Sequence, residues 1–437
     1  MINVVWLGLL LIGIVAGLFT GNPEALCAAT FEACKSAIMS IALPLSGIMA
    51  LWLGLMRLAE KSGLLEKLAL LLQPLLIRLF PEVPAHHPAM GSMLMNIAAN
   101  MLGLSNAATP LGLRAMQDLQ SLNPNPQVAS NAMCTFLAIN TSSLQLIPTT
   151  AIGILAAAGA LHPSAIIGTT FVATATSCLA GISAAKLLQG LSFFGLPPKQ
   201  QMEFSSRMES VPKTPETLLP AATHGLSWVA KMILMLFCAC FAYGFVHLWQ
   251  DGSSQEIAPV SRAMTLFSMM AIPFLLGFFP LYAFLKGVPV YEEFVEGAKE
   301  GFQVALRIFP YLVAILVAIG VFRAAGGIDF LSHLLAPVLH AIGLPTEVLP
   351  LVLVRPLSGS AATGLFAEIV KTAGPNSFVS QLAGTILGST ETTFYVLAVY
   401  FGSVSIKRSR HALAAGLIAD IAGVSSALLV CHLLLNA

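Results

Sequence analysis

Charge is what this sequence has least of. Of its 437 residues only 9% are Asp, Glu, Lys or Arg, against 57% hydrophobic, and 21 basic and 20 acidic side chains leave a formal net charge of +1. A soluble domain carries about 25% charged residues, so this chain has too few to wet the surface of a globule, and it reads as an integral membrane protein. The neutral balance offers no basic face to nucleic acid. No G-x-x-x-x-G-K-[ST] run occurs, which excludes a P-loop nucleotidase within the chain. The seven cysteines (27, 34, 134, 178, 238, 240 and 431) form no C-x-x-C and lie mostly in apolar runs, as small buried hydrophobes do. The nine histidines are scattered without ligand spacing, so neither a metal nor a cofactor is expected. Nor does any nucleophile and base pair suggest an enzyme.

What the sequence has in quantity is long apolar runs. A membrane crossing takes about 20 apolar residues, and nine stretches supply them: 2–20, 36–57, 127–160, 163–189, 221–249, 262–285, 305–325, 378–403 and 411–435. The first has no basic leader or A-x-A site and is expected to remain as a helix. Segments 57–80, 186–220, 286–307 and 407–410 hold fourteen of the 21 Lys and Arg. By the positive-inside bias these face the cytoplasm, which predicts a multi-pass protein of the bacterial cytoplasmic membrane with a cytoplasmic N-terminus.

Two further stretches, 86–122 and 346–375, are too broken by Gly, Pro and small polar residues to be clean crossings. They resemble each other. Asn106-Ala-Ala-Thr109-Pro-Leu-Gly reads against Ser360-Ala-Ala-Thr363-Gly-Leu-Phe, and Asn140-Thr141-Ser142 reads against Glu391-Thr392-Thr393 at nearly the same spacing. The expectation is an all-α polytopic membrane protein with two inverted repeats, about nine spanning helices, two re-entrant hairpins and two interrupted helices. Its parts would be a first repeat over 1–190, a cytoplasmic linker over 191–220 and a second repeat over 221–437. Such discontinuous helices mark secondary transporters, with the site near mid-membrane.

Irregular backbone is tolerated in hydrocarbon only where protein buries it or it lines a cavity. The polar clusters at the expected breaks are therefore the candidate solute site: Asn106, Thr109, Asn140, Thr141, Ser142, Ser358, Ser360, Thr363, Thr390, Glu391 and Thr392. Each hydroxyl or amide has a second reading, as glue between helices. Interior charges discriminate better because they are costly. Glu391 and Asp420 are candidates for a coupling ion, H⁺ or Na⁺, with Arg355 either a site residue or the structural counter-ion of Glu391. Asn96 and Asn100 lie one helical turn apart on the limb before the first cluster.

The runs Met95-Asn-Ile-Ala-Ala-Asn-Met-Leu-Gly-Leu-Ser-Asn-Ala-Ala-Thr-Pro-Leu-Gly and Ala138-Ile-Asn-Thr-Ser-Ser-Leu-Gln-Leu-Ile-Pro-Thr-Thr resemble spore maturation protein A. Arg355-Pro-Leu-Ser-Gly-Ser-Ala-Ala-Thr-Gly and Gly388-Ser-Thr-Glu-Thr-Thr-Phe-Tyr-Val-Leu-Ala-Val-Tyr-Phe-Gly-Ser-Val look like spore maturation protein B. The whole looks like a fused form of the two within the nucleoside-recognition, or Gate, group, which is similar to concentrative nucleoside transporters and to the membrane part of ferrous-iron transporters. The resemblance implies recognition of a nucleoside-like or other small polar solute. Two functions remain open, a secondary transporter and a non-transporting envelope sensor or scaffold, and a homo-oligomer is compatible with either.

Overall fold

The computed structural model describes residues 2–19, 23–103, 105–191, 194, 226–250, 259–327 and 343–435. Most of the 191–220 linker lies outside them. The regular elements among these residues are helices, with one isolated bridge between Val128 and Arg408. In chain order they are α1 (Ile2–Phe19), α2 (Pro23–Lys35), a π-helical segment (Ser36–Ala42), α3 (Leu43–Lys61), α4 (Leu64–Leu79), α5 (Pro88–Met101), α6 (Ser105–Ser121), α7 (Asn131–Ser142), α8 (Thr149–Ala157) and α9 (Ile166–Leu188). There follow α10 (Trp228–Gln250), α11 (Pro259–Leu285), α12 (Val290–Ala324), α13 (Leu349–Val354), α14 (Gly359–Ala373), α15 (Phe378–Ser389), α16 (Thr393–Ser403) and α17 (Ala412–Leu435).

This corrects the architecture expected from hydropathy. Among the described residues four helical stretches are long and apolar enough to cross a membrane: Pro23–Lys61, Pro163–Leu188, Trp228–Gln250 and Ala412–Leu435. Apolar runs were counted as crossings wherever they were long, but a run crosses only if its helix continues. The run 127–160 is split into α7, of 12 residues, and α8, of 9. The run 378–403 is split likewise into α15 and α16. At 1.5 Å per residue each piece falls well short of a ~30 Å hydrocarbon core. Elsewhere the apolar part is short: Trp6–Phe19 in α1, Met269–Leu285 in α11 and Leu312–Ala324 in α12. The expected inverted-repeat architecture of about nine crossings is therefore replaced, among the described residues, by an all-helical protein with four stretches long and apolar enough to cross. The stretches read as re-entrant hairpins are the helix pairs α5–α6 and α13–α14.

Local signals set the helix starts. His87 Nδ1 accepts from Ala89 N at 3.2 Å, with Pro88 at the first helical position of α5. Ser130, Ser358 and Ser377 cap α7, α14 and α15, each side chain accepting from a backbone N–H three residues on. The first break follows Ser143, whose φ is +34°, and Pro148 closes it.

The longest seam pairs α3 with α12, where two glycines let the backbones meet. A Cβ on Gly301 would lie 2.5 Å from Met49 O and 2.7 Å from Ala50 Cα, and one on Gly297 would lie 2.6 Å from Leu53 O. This is close approach through small residues one helical turn apart. Arg57 on α3 ties the same seam, with Nε 2.7 Å from Glu293 Oε2 and Nη1 2.7 Å from Glu300 Oε1. Glu293 is thus an interhelical partner. Two apolar clusters result. Trp52, Met56, Met93, Phe136 and Tyr400 belong to one, and Met49, Leu53, Leu316, Phe366 and Ile386 to the other.

Two predictions follow from the packing. Gly301→Val drives a side chain into the α3 backbone, which cannot yield as a side-chain tip would. A loss of about 1–3 kcal/mol is expected, read as a lower melting temperature in detergent, with Gly47→Ala, where a Cβ meets nothing within 4 Å, as the tolerated control. The second concerns His411, fully buried ahead of α17, with neither ring nitrogen hydrogen-bonded. Burial first, then Arg410 and Lys186, push its pKa down to about 4 from 6.5. The unfolded chain therefore binds a proton that the folded chain refuses, so stability is intact above pH 6.5 and falls as pH drops toward 4. His411→Asn should flatten melting temperature against pH across that window.

Candidate functional site

The two helix breaks meet. Glu391 N–H, in the gap between α15 and α16, donates to Thr141 O in the last turn of α7 at 2.7 Å. Phe394 N–H donates to Pro356 O at 3.0 Å, which ties the same gap to the turn between α13 and α14. On the other side Leu146 N–H, in the gap after α7, donates to Met101 O at 3.1 Å. Backbone groups released by the breaks are thus paired across elements, as an apolar interior requires.

Around this junction lies a cavity of about 450 Å³. Met49, Trp52, Leu53 and Met56 of α3 give it an apolar wall, and polar walls come from Gln145, Thr149 and Thr150, from Arg355, Ser358 and Ser360, and from Glu391 and Thr392. Apolar walls with a few convergent polar groups are the usual form of a small-molecule site. Arg355 is only 6% exposed. Its Nη1 donates to Thr392 Oγ1 at 3.3 Å and its Nη2 donates to the carbonyl of Thr390. Its approach to Glu391 is looser, with Nη2 3.9 Å from Oε2. Glu391 Oε1 accepts from Gln145 Nε2 at 3.3 Å, so each break contributes to fixing this carboxylate.

The candidate residues divide into three groups. Ser358, Ser360, Thr363, Glu391 and Thr392 line the cavity together with Arg355. Ser358 also caps α14, and Thr363 Oγ1 donates back to Gly359 O at 2.9 Å. Asn140, Thr141 and Ser142 stand behind the wall. Thr141 Oγ1 and Ser142 Oγ donate to the carbonyls four residues back, Leu137 at 2.7 Å and Ala138 at 2.9 Å. Asn140 belongs to a buried amide and phenol chain. Asn96 Nδ2 donates to Tyr400 OH at 3.3 Å, and Asn140 Oδ1 accepts from Tyr400 OH at 3.2 Å and from Asn100 Nδ2 at 2.9 Å.

The third group lies off the cavity. Thr109 sits half-buried on α6, and the Asn106 side chain is outside those described. Thr390, within the second break, and Asp420 on α17 are buried, and Asp420 Oδ2 accepts from Thr393 Oγ1 at 2.6 Å. Gln145, Thr149 and Thr150 were missed as candidates. Their signal was present, since these three polar side chains flank the Pro148 that ends the break. Among the described residues no group of three His, Cys, Asp or Glu side chains is placed to hold a metal ion.

The nucleoside-recognition (Gate) family matches residues 42–192 and 305–407. The chain is 50% identical over 167 residues to spore maturation protein B of Bacillus subtilis, covering 38% of this chain and 94% of that protein. It is 43% identical over 182 residues to spore maturation protein A of the same organism, covering 42% of this chain and 92% of that one. Inner membrane protein YjiG of Escherichia coli is 33% identical over 86 residues, 20% of this chain and 56% of YjiG. The YdaH transporter structure from Alcanivorax borkumensis aligns over 93% of this chain and 88% of that one at 15% identity, with a TM-score of 0.43, too low to establish a common fold. More than half of the chain lies within the family match, so the chain belongs to the nucleoside-recognition family, with spore maturation A-like and B-like sequence fused in one polypeptide.

If the Asn96, Tyr400 and Asn140 chain is structural, Tyr400→Phe removes two hydrogen bonds from a buried network without touching the cavity wall. A loss of about 1–3 kcal/mol is expected, seen as a lower melting temperature. Thr392→Val, whose hydroxyl meets Arg355 in the wall, should instead alter ligand-dependent readouts more than melting.

Proposed function

We propose that this member of the nucleoside-recognition family is a secondary transporter of the bacterial inner membrane, and that the cavity between the two helix breaks binds a nucleoside-like or other small polar solute. The observation that carries the reading is the position of Glu391. It is an ionisable side chain in the wall of an interior cavity, supported by Gln145 from one break and facing Arg355 from the neighbouring turn. Its side chain is 35% exposed, open to the cavity, and it stands among the hydroxyls of Ser358, Ser360, Thr363 and Thr392, with the chemistry to select a polar solute. Glu391 or Asp420 would carry the coupling ion, H⁺ or Na⁺. In this reading the N-terminus is cytoplasmic and the kinship with concentrative nucleoside transporters extends to mechanism.

Proteoliposome uptake of a labelled nucleoside and small-solute panel, with H⁺ or Na⁺ gradients imposed singly, tests the proposal. Gradient-driven uptake is expected, and Glu391→Gln should reduce it at least tenfold or abolish its gradient dependence. Uptake unchanged in Glu391→Gln removes that residue from the mechanism. Saturable binding without translocation in any gradient would replace transport by ligand sensing.

A further inference from the structure

The proposed solute site has an electrostatic sign. Arg355 and Glu391 are the formally charged residues of its described wall, one of each sign. Three helices begin at the wall: α8 through Thr149, Thr150 and Ala151, α14 through Ser358, Gly359 and Ser360, and α16 through Thr392. A helix N-terminus carries about half a positive charge on its unpaired N–H groups, so the backbone tips an otherwise balanced cavity toward positive. Neither α8 nor α16 has a capping side chain, and the backbone takes one N–H of each, Thr149 N–H by Ile147 O and Phe394 N–H by Pro356 O. At α14 the first residue is Gly359, and a Cβ there would stand 2.8 Å from Thr392 Oγ1 and 3.6 Å from Arg355 Nη1. The guanidinium therefore lies against the start of α14, where the Ser358 hydroxyl takes the Ala361 N–H and the first-turn N–H groups of Gly359 and Ser360 carry no side-chain cap.

Arg355 is also incompletely used. Nη1 and Nη2 carry two N–H groups each, and each has one described hydrogen bond, to Thr392 Oγ1 and to the Thr390 carbonyl, while the contact with Glu391, at 3.9 Å, is an ion pair beyond hydrogen-bonding distance. A buried guanidinium donor left unpaired is costly, and one more acceptor at this place would relieve it. A carboxylate or phosphate is the acceptor that suits both a guanidinium fork and a helix N-terminus.

We infer that, within the solute site proposed above, Arg355 and the N-terminus of α14 form an anion subsite, so that the preferred solute is a small organic anion rather than a neutral nucleoside. The inference rests on that cavity being the solute site but does not require translocation. Glu391, across the same cavity, is then free to accept a hydrogen bond from a hydroxyl or amine on the solute. Because the anionic group binds through charge-assisted hydrogen bonds, a carboxylate and a phosphate satisfy the same atoms.

The test uses full-length protein in detergent with a reporter thiol at Ser360→Cys, and Thr149→Cys in the facing wall as a second reporter should the first not fold. Modification rates by an anionic and a cationic methanethiosulfonate reagent of similar size are measured as the gain over unsubstituted protein. Each is divided by the rate of the same reagent on a free thiol. The anionic reagent should be favoured by about tenfold, and Arg355→Gln should reduce that preference, with Arg355→Lys retaining part of it. A normalised ratio of one, or a preference for the cation, overturns the proposal. Protection by uridine 5′-monophosphate identifies a phosphate solute and protection by succinate a carboxylate one, while protection by uridine equal to that by its monophosphate overturns the anion subsite. A failure of uptake in proteoliposomes alongside an anion-favouring ratio would sink transport and leave the subsite standing.

Discussion

Unpaired backbone is the constraint on which this structure turns. Ending α7 at Ser142 and α15 at Ser389 inside an apolar protein releases carbonyls and N–H groups that cost several kcal/mol each if left unpaired. The structure resolves this by making each break the partner of another element. Glu391 N–H reaches Thr141 O, Leu146 N–H reaches Met101 O, and Phe394 N–H reaches Pro356 O. These bonds fix where the gaps lie relative to one another, and the cavity is the space they leave.

The same constraint accounts for Arg355. A guanidinium buried beside a broken helix would be hard to justify as a surface-type ion pair, since exposed pairs contribute little and buried ones often no net stability. Its described hydrogen bonds instead go to the Thr390 carbonyl and the Thr392 hydroxyl. It serves as a cap for the released end of α15 and, through the same contacts, holds the residues on either side of Glu391. Charge and backbone satisfaction are therefore one arrangement, and the positive ends of α8, α14 and α16 add to it.

Much of the site was legible in the sequence because its signals are local. Gly, Pro, Ser and Thr interrupting an apolar run report a break, and Ser358, Ser360, Thr363, Glu391 and Thr392 were found that way and line the cavity. Asn140, Thr141 and Ser142 carry the same composition, yet their polar atoms are spent on the α7 backbone and on Tyr400. Composition cannot distinguish a hydroxyl turned to a cavity from one turned to its own helix four residues back. The number of crossings was not legible for a related reason. Hydropathy averages over the stretches 127–160 and 378–403, whereas continuity of the helix depends on single residues such as Ser143 and Pro148. The close seam between α3 and α12 also escaped, since two glycines one turn apart acquire meaning only when Met49 and Leu53 oppose them.

For the transport function proposed above, the cavity's position between two packed clusters matters. Its α3 wall alternates between the two apolar clusters: Trp52 and Met56 belong to one, Met49 and Leu53 to the other. A packed core resists deformation, so rearrangement concentrates where two cores abut. The Glu391 to Thr141 bond joins α7, packed in the first cluster, to the break beyond α15, packed in the second. Any movement of one cluster against the other must either carry this bond as a pivot or pay the desolvation of both groups. In the proposed transport reading, a pivot leaves the Glu391 backbone fixed, so that its side chain, held by Gln145 and facing Arg355, is the group available to a solute. The backbone link that makes the break tolerable would then also make its one carboxylate a stationary point about which the walls can shift.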